Sequence, residues 1–125
     1  MGNIKSFEEL VCWKEARNLR LFVRNSLITK MPSSEKFALI DQIKRSSRSV
    51  GNNIAEGYGR FHYQENIQFC RMARGSLSET LDHGIIALDE EYISEEILIE
   101  LRTIHDKTLL ILNGYIKYLK NQKVK

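Results

Sequence analysis

The stretch 42–60, QIKRSSRSVGNNIAEGYGR, holds the densest set of side chains able to do chemistry. Asp41, Arg45, Arg48, Asn52 and Glu56 recur every three or four residues, which at about 100° per residue gathers them on one side of a helix. An arginine fork pairs bidentately with a carboxylate or a phosphate, so two chemistries are open. One is an arginine–carboxylate network completed by a second copy of the chain. Its candidates are Arg45, Arg48, Asn52, Asn53 and Glu56, with Gly51 and Ala55 beside them small enough for another backbone to approach. Gly75 and Ser76 permit the same close approach further on. The other chemistry is phosphate binding by Lys44, Arg60, Arg71 and Arg74, joined by Arg45 and Arg48. Against both stands a plain solvated face, whose i,i+4 pairs contribute about 0.3–0.5 kcal/mol each.

Glu56, Glu65 and Glu79 lie close enough in sequence to neutralise part of the basic set. Phe61 and Tyr63 are the nearby aromatics outside the apolar stripes, so no stacking platform for single strands is legible. No helix-turn-helix, zinc or RNA-recognition motif is visible. Catalysis finds less support still. Di-iron bundles need Glu-x-x-His pairs, whereas Glu79 and His83 are four apart and Glu100 and His105 five apart. His62, His83 and His105 therefore read as surface or capping residues. "EGYGR" lacks the P-loop lysine and a preceding strand. Neither an enzyme nor a bound cofactor or metal is expected.

The elements that must position these residues follow from composition and punctuation. A chain of 125 residues fits one domain, with 42% hydrophobic and 28% charged residues pointing to a folded core. The net charge of +3 is mildly basic and does not name a partner by itself. The absence of an apolar run of about 18 residues and of a leader predicts a cytoplasmic protein with no membrane association. Cys12 and Cys70 have no CxxC spacing and read as reduced, packed thiols.

The spacing predicts four helices, over about 6–30, 34–58, 62–90 and 94–121. Ser6 and Glu9 form a capping box for the first, whose apolar residues include Leu10, Cys12, Trp13, Ala16 and Leu19. Pro32 ends that segment. Leu39, Ile43, Ser47, Val50, Ile54 and Gly57 make the inner stripe of the second, and Gly57 and Gly59 break it with positive φ angles. Ile67, Cys70, Ala73, Leu77, Leu81, Ile85 and Leu88 are the stripe of the third. Ser94 caps the fourth, Ile93 and Leu98 are spaced for a hydrophobic staple, and Ile97, Leu101, Ile104, Thr108, Ile111, Tyr115 and Leu119 face inward. The tail NQKVK frays. With no period-two alternation, the result is an all-α, antiparallel up-down-up-down four-helix bundle.

At Arg45, Ser49, Asn53, Ile54, Ala55, Glu56, Gly57, Gly59 and Arg60 the chain resembles the four-helix bundle protein family, also called the 23S rRNA intervening-sequence protein family. FEELVCWKEA, MPSSEKFAL and the segment Gly75, Ser76, Leu77 extend the resemblance over almost the whole chain. His62 stands where the family commonly has serine, which removes a hydroxyl from the box with Glu65. The resemblance implies an antiparallel bundle that assembles into a homopentameric ring. A related branch resembles the accessory determinant of diversity-generating retroelements, which adds nucleic acid and a reverse transcriptase as expected partners. The family name records where a gene lies and assigns no activity. The expectation is a non-enzymatic binding or scaffold module for RNA or DNA, the alternative a structural or protein-binding assembly without nucleic acid.

Overall fold

The computed structural model describes residues 4–123. Four helices carry the fold: α1 (Val11–Phe22), α2 (Leu39–Tyr58), α3 (Tyr63–Asp89) and α4 (Glu95–Lys123). Each packs on its neighbours in a closed cycle, α1 on α2, α2 on α3, α3 on α4 and α4 on α1, with the α2–α3 seam the most extensive. Pairings across the seams run in opposite directions. Ser49 meets Ser76 and Ser46 meets Thr80 between α2 and α3, while Asn66 meets Tyr115 and Arg74 meets Asn113 between α3 and α4. On the remaining seams Gly51 lies against Trp13 and Lys107 pairs with Glu15. The paired contacts on the α2–α3 and α3–α4 seams run antiparallel.

The helix starts differ from expectation, and the reason is local. Ser6 does accept a hydrogen bond, but from the Glu8 N–H at 3.2 Å, and Glu9 accepts from the Lys5 N–H at 2.9 Å. That arrangement closes a 3-10 turn over Phe7–Glu9; Leu10 then runs extended, becomes buried, and α1 begins at Val11. Beyond Phe22 the chain tightens and loosens through a π-turn (Val23–Leu27) and a 3-10 turn (Ile28–Lys30) before Pro32. A further 3-10 turn, Ser33–Glu35, delays α2 to Leu39, whose N–H donates to Glu35 Oε1 at 3.3 Å. The other Glu35 oxygen accepts from Tyr92 at 2.7 Å, which ties this turn to the α3–α4 connection. Ser94 caps α4 as expected, accepting from the Ile97 N–H at 3.3 Å. α4 runs on through Asn121–Lys123, so the start of the tail is helical; Val124 and Lys125 lie outside the described residues.

The inner stripe of α2 is buried throughout, Leu39 to Gly57. On α3 the stripe holds as far as Leu77. From there the innermost line passes through Thr80, His83, Gly84 and Ala87, leaving Leu81, Ile85 and Leu88 half-buried. On α4, His105 and Leu112 take inner places beside Leu101 and Thr108, with Ile104 and Ile111 half-buried. A straight helix drifts about 20° per heptad from a strict seven-residue repeat, which accounts for the slip along helices this long. It also corrects the placing of two histidines: His83 and His105 are each 8% exposed, and only His62 sits at a helix start in the open.

The glycine expectation is corrected too. Gly59 ends α2 with φ −73°, and among the described residues no glycine has positive φ. Gly57 is small because α3 passes close by: a Cβ there would stand 2.6 Å from Asn66 Oδ1 and 2.9 Å from Phe69 Cβ. Among the described residues no helix is long and apolar enough to cross a membrane.

Candidate nucleic-acid interface

Most of the residues flagged in the sequence as an interface stripe lie on the outside of α2. Arg45, Arg48, Asn52 and Glu56 are exposed, and Arg45 pairs with Asp41 at 3.0 Å one turn back. Glu56 pairs with Arg60 at 3.1 Å, so the carboxylate that could have answered Arg48 is engaged within its own helix end. Asn53 and Ser76 work inside the chain. Asn53 donates to the Ser49 carbonyl and hydroxyl, both at 2.9 Å, and Ser76 donates to that hydroxyl at 2.9 Å, which bridges α2 to α3. Gly75 differs: a Cβ added there would meet nothing, so its surface lies open.

The four residues expected to bind phosphate are spread over α2, the turn that follows it and α3. Arg60 lies at the end of α2, held by Glu56 and Glu65 and stacked over Phe69 with its guanidinium 4.9 Å from the ring centre. Lys44 is fourteen residues before the end of α2 at Tyr58, about 21 Å along the axis at about 1.5 Å per residue. Arg74 on α3 donates to Asn113 of α4 at 2.8 Å, and Arg71 is exposed on the same helix.

The structure instead gathers a different basic set. α1 and the π-turn that extends it carry Arg17, Arg20 and Arg24 at spacings of three and four, and α2 carries Lys44 and Arg48 four apart. The two rows face each other across the groove between α1 and α2. One part of that groove, of about 260 Å³, is lined by Trp13, Ala16, Arg17, Arg20, Arg48, Gly51 and Asn52. The adjoining part is narrower, about 50 Å³, with Arg20, Arg24, Lys44 and Arg48 over a floor of Val23, Ile28 and Ser47. Among the described residues none of these five cations lies within ion-pair distance of a carboxylate, although four other arginine– or lysine–carboxylate contacts form. Arg17, Arg24, Lys44 and Arg48 are exposed, Arg20 half-buried.

The pattern of α2 gives no sign of Arg17, Arg20 and Arg24. Their own three- and four-residue spacing was the available signal. That the row on α1 would face Lys44 and Arg48 depends on the rotation of two helices about their axes, which spacing alone leaves open.

Other groups with reactive potential are quieter. Cys12 and Cys70 are free and buried, and burial pushes both thiols up to about 12, so they stay protonated and poorly nucleophilic at neutral pH. Tyr115 is likewise raised by burial, although the amide of Asn66 donates to its hydroxyl at 3.1 Å. His83 Nε2 lies 3.6 Å from Glu79, and neither ring nitrogen has a hydrogen-bond partner. Among the described residues no group of three or more His, Cys, Asp or Glu is placed to hold a metal ion.

Comparison with known proteins adds one finding. The family model described as 23S rRNA-intervening sequence protein matches residues 8–114, a span that takes in α1, α2, α3 and most of α4. No curated protein matches.

Proposed function

Since the chain belongs to the 23S rRNA-intervening sequence protein family, we propose that it is a non-enzymatic, self-associating module that binds RNA or DNA along the α1–α2 groove. The observation that carries this reading is the opposed pair of basic rows, Arg17, Arg20 and Arg24 against Lys44 and Arg48, with no acidic partner of their own. Exposed pairs elsewhere on the surface balance their charge locally, as Arg45 does with Asp41 and Arg60 with Glu56. Five cations lining one groove, none within ion-pair distance of a carboxylate, repel one another, and a polyanion relieves that repulsion while releasing its own counterions. Arginine dominates the set, which favours bidentate phosphate contacts.

Self-association uses a different surface. The α3–α4 side lies opposite the α1–α2 groove in the cycle of helices, and it exposes Ile99 and Leu110 on α4 and, on α3, Met72 one turn before the open Gly75. Apolar residues of this size next to a bare backbone suit contact with a second copy. The ring of five that the family resemblance implies would then leave each basic groove accessible. The alternative, an assembly module with no nucleic-acid role, draws on this face alone.

Fluorescence anisotropy with labelled RNA and DNA at low salt tests the proposal. The wild-type chain binds, the double variant Arg20→Glu, Arg24→Glu weakens binding by about tenfold or more through loss of phosphate contacts, and Lys117→Glu on α4 changes it little. Absence of binding at low salt, or an equal loss in the Lys117 variant, contradicts the groove and favours the alternative.

A further inference from the structure

The two parts of the basic groove are chemically unlike, and the difference bears on what can occupy them. Near Lys44 the walls are cationic and the floor is Val23, Ile28 and the hydroxyl-bearing Ser47, so this narrow part offers mainly phosphate contacts. The wider part adds an indole and a carboxamide. Trp13 forms one wall, Asn52 stands at the rim, and Arg17, Arg20 and Arg48 surround them.

Small residues keep this wider part open. Ala16 is 1% exposed and lies under the floor. A Cβ on Gly51 would stand 3.5 Å from Trp13 Nε1 and 3.7 Å from Ala16 Cβ, so any larger side chain would cover the indole edge that glycine leaves bare. The indole is braced from behind by Phe7, whose ring meets it edge-on with centroids 5.1 Å apart. The Asn52 side chain makes no hydrogen bond among the described residues, whereas the Asn53 amide beside it donates twice to Ser49.

We propose that the wider part of the groove takes an unpaired nucleobase, with the flanking phosphates on Arg17, Arg20 and Arg48, so that the partner is a single strand. The inference rests on the nucleic-acid reading of the same groove and deepens it by naming the class of ligand. The indole edge beside Gly51 carries an N–H donor, and the primary carboxamide of Asn52 offers one donor and one acceptor side, so both address the edge of an unpaired base. In a duplex the faces are stacked and the pairing edges occupied, so this position has no unpaired base to take and the phosphates carry the contact. The arginines shared by the two parts, Arg20 and Arg48, connect the base position to the phosphate track.

Trp13 is the chain's single tryptophan, so its emission reports on this position directly. The experiment titrates the intact protein with a short labelled oligonucleotide, either single-stranded or annealed to its complement, reading anisotropy and tryptophan emission together. The single strand binds about tenfold tighter than the duplex, in the range of one or two net hydrogen bonds, and alters Trp13 emission saturably. Asn52→Ala, an exposed helical position that should fold normally, weakens the single strand severalfold and leaves the duplex unchanged. Equal affinity for strand and duplex, or single-strand binding with unaltered Trp13 emission, overturns the base position while the phosphate groove stands. Binding of neither overturns the nucleic-acid reading and this inference with it.

Discussion

Whether a basic side chain is free or answered separates these residues more sharply than how many there are. Arg60 has two carboxylates and an aromatic face within reach, whereas Arg20 and Arg24 have no carboxylate. Arg60→Ala should therefore alter nucleic-acid binding by less than about twofold, while Arg20→Ala lowers it several times more, as anisotropy would measure. Burial, not charge, governs the two cysteines. Their ordinary value is 9.0, and burial raises both to about 12. Unfolded thiols ionise near 9 while the folded ones stay neutral, so their contribution to stability is complete below pH 9 and is lost as pH rises from about 9 to about 12. Chemical denaturation across that range should show stability falling with rising pH. Replacing Cys70 with Ala should flatten the fall, and an unchanged slope would contradict it.

At the scale of helices, close approach and chain reversal set what can be changed. Gly57→Ala puts a methyl into Asn66 and Phe69 and should destabilise by about 1–3 kcal/mol in urea unfolding. The α3–α4 turn presents the opposite case. Glu91 has φ 64°, and Tyr92 N–H reaches back to Ala87 O at 2.9 Å, a helix end that favours glycine. Glu91→Gly should raise stability by about 0.5–1 kcal/mol, since the left-handed conformation costs a side-chain-bearing residue that much more. Four helices and their order were legible because Ile43, Val50, Ile54, Leu77 and Leu101 repeat at helical spacing between clear breaks at Pro32 and Ser94. The starts of α1 and α2 were not. Ser6 and Glu35 commit their side chains to short turns, and that choice follows from burying Leu10 and reaching Tyr92, both tertiary effects. Drift along α3 and α4 hid the burial of His83 and His105 in the same way. The candidate site was half legible: Lys44, Arg48 and Asn52 stand out on α2, but their partners on α1 become visible only once the two helices are packed.

At the scale of the whole molecule, the cycle of helices puts a cationic groove on one side and an apolar, glycine-opened surface on the other. On the proposed reading these are the two working faces, one for nucleic acid and one for further copies. Light scattering should return a mass several times that of one 14.6 kDa chain, and Leu110→Glu should lower it without abolishing nucleic-acid binding. The most direct test of the central claim is the salt dependence of binding to labelled RNA. With five groove cations on phosphates, the logarithm of the affinity should fall linearly with the logarithm of salt, with a slope of about −3 to −4 per groove. The slope should become shallower by about two phosphate contacts in the Arg20→Glu, Arg24→Glu variant. An affinity indifferent to salt, or the same slope in both proteins, would contradict the account.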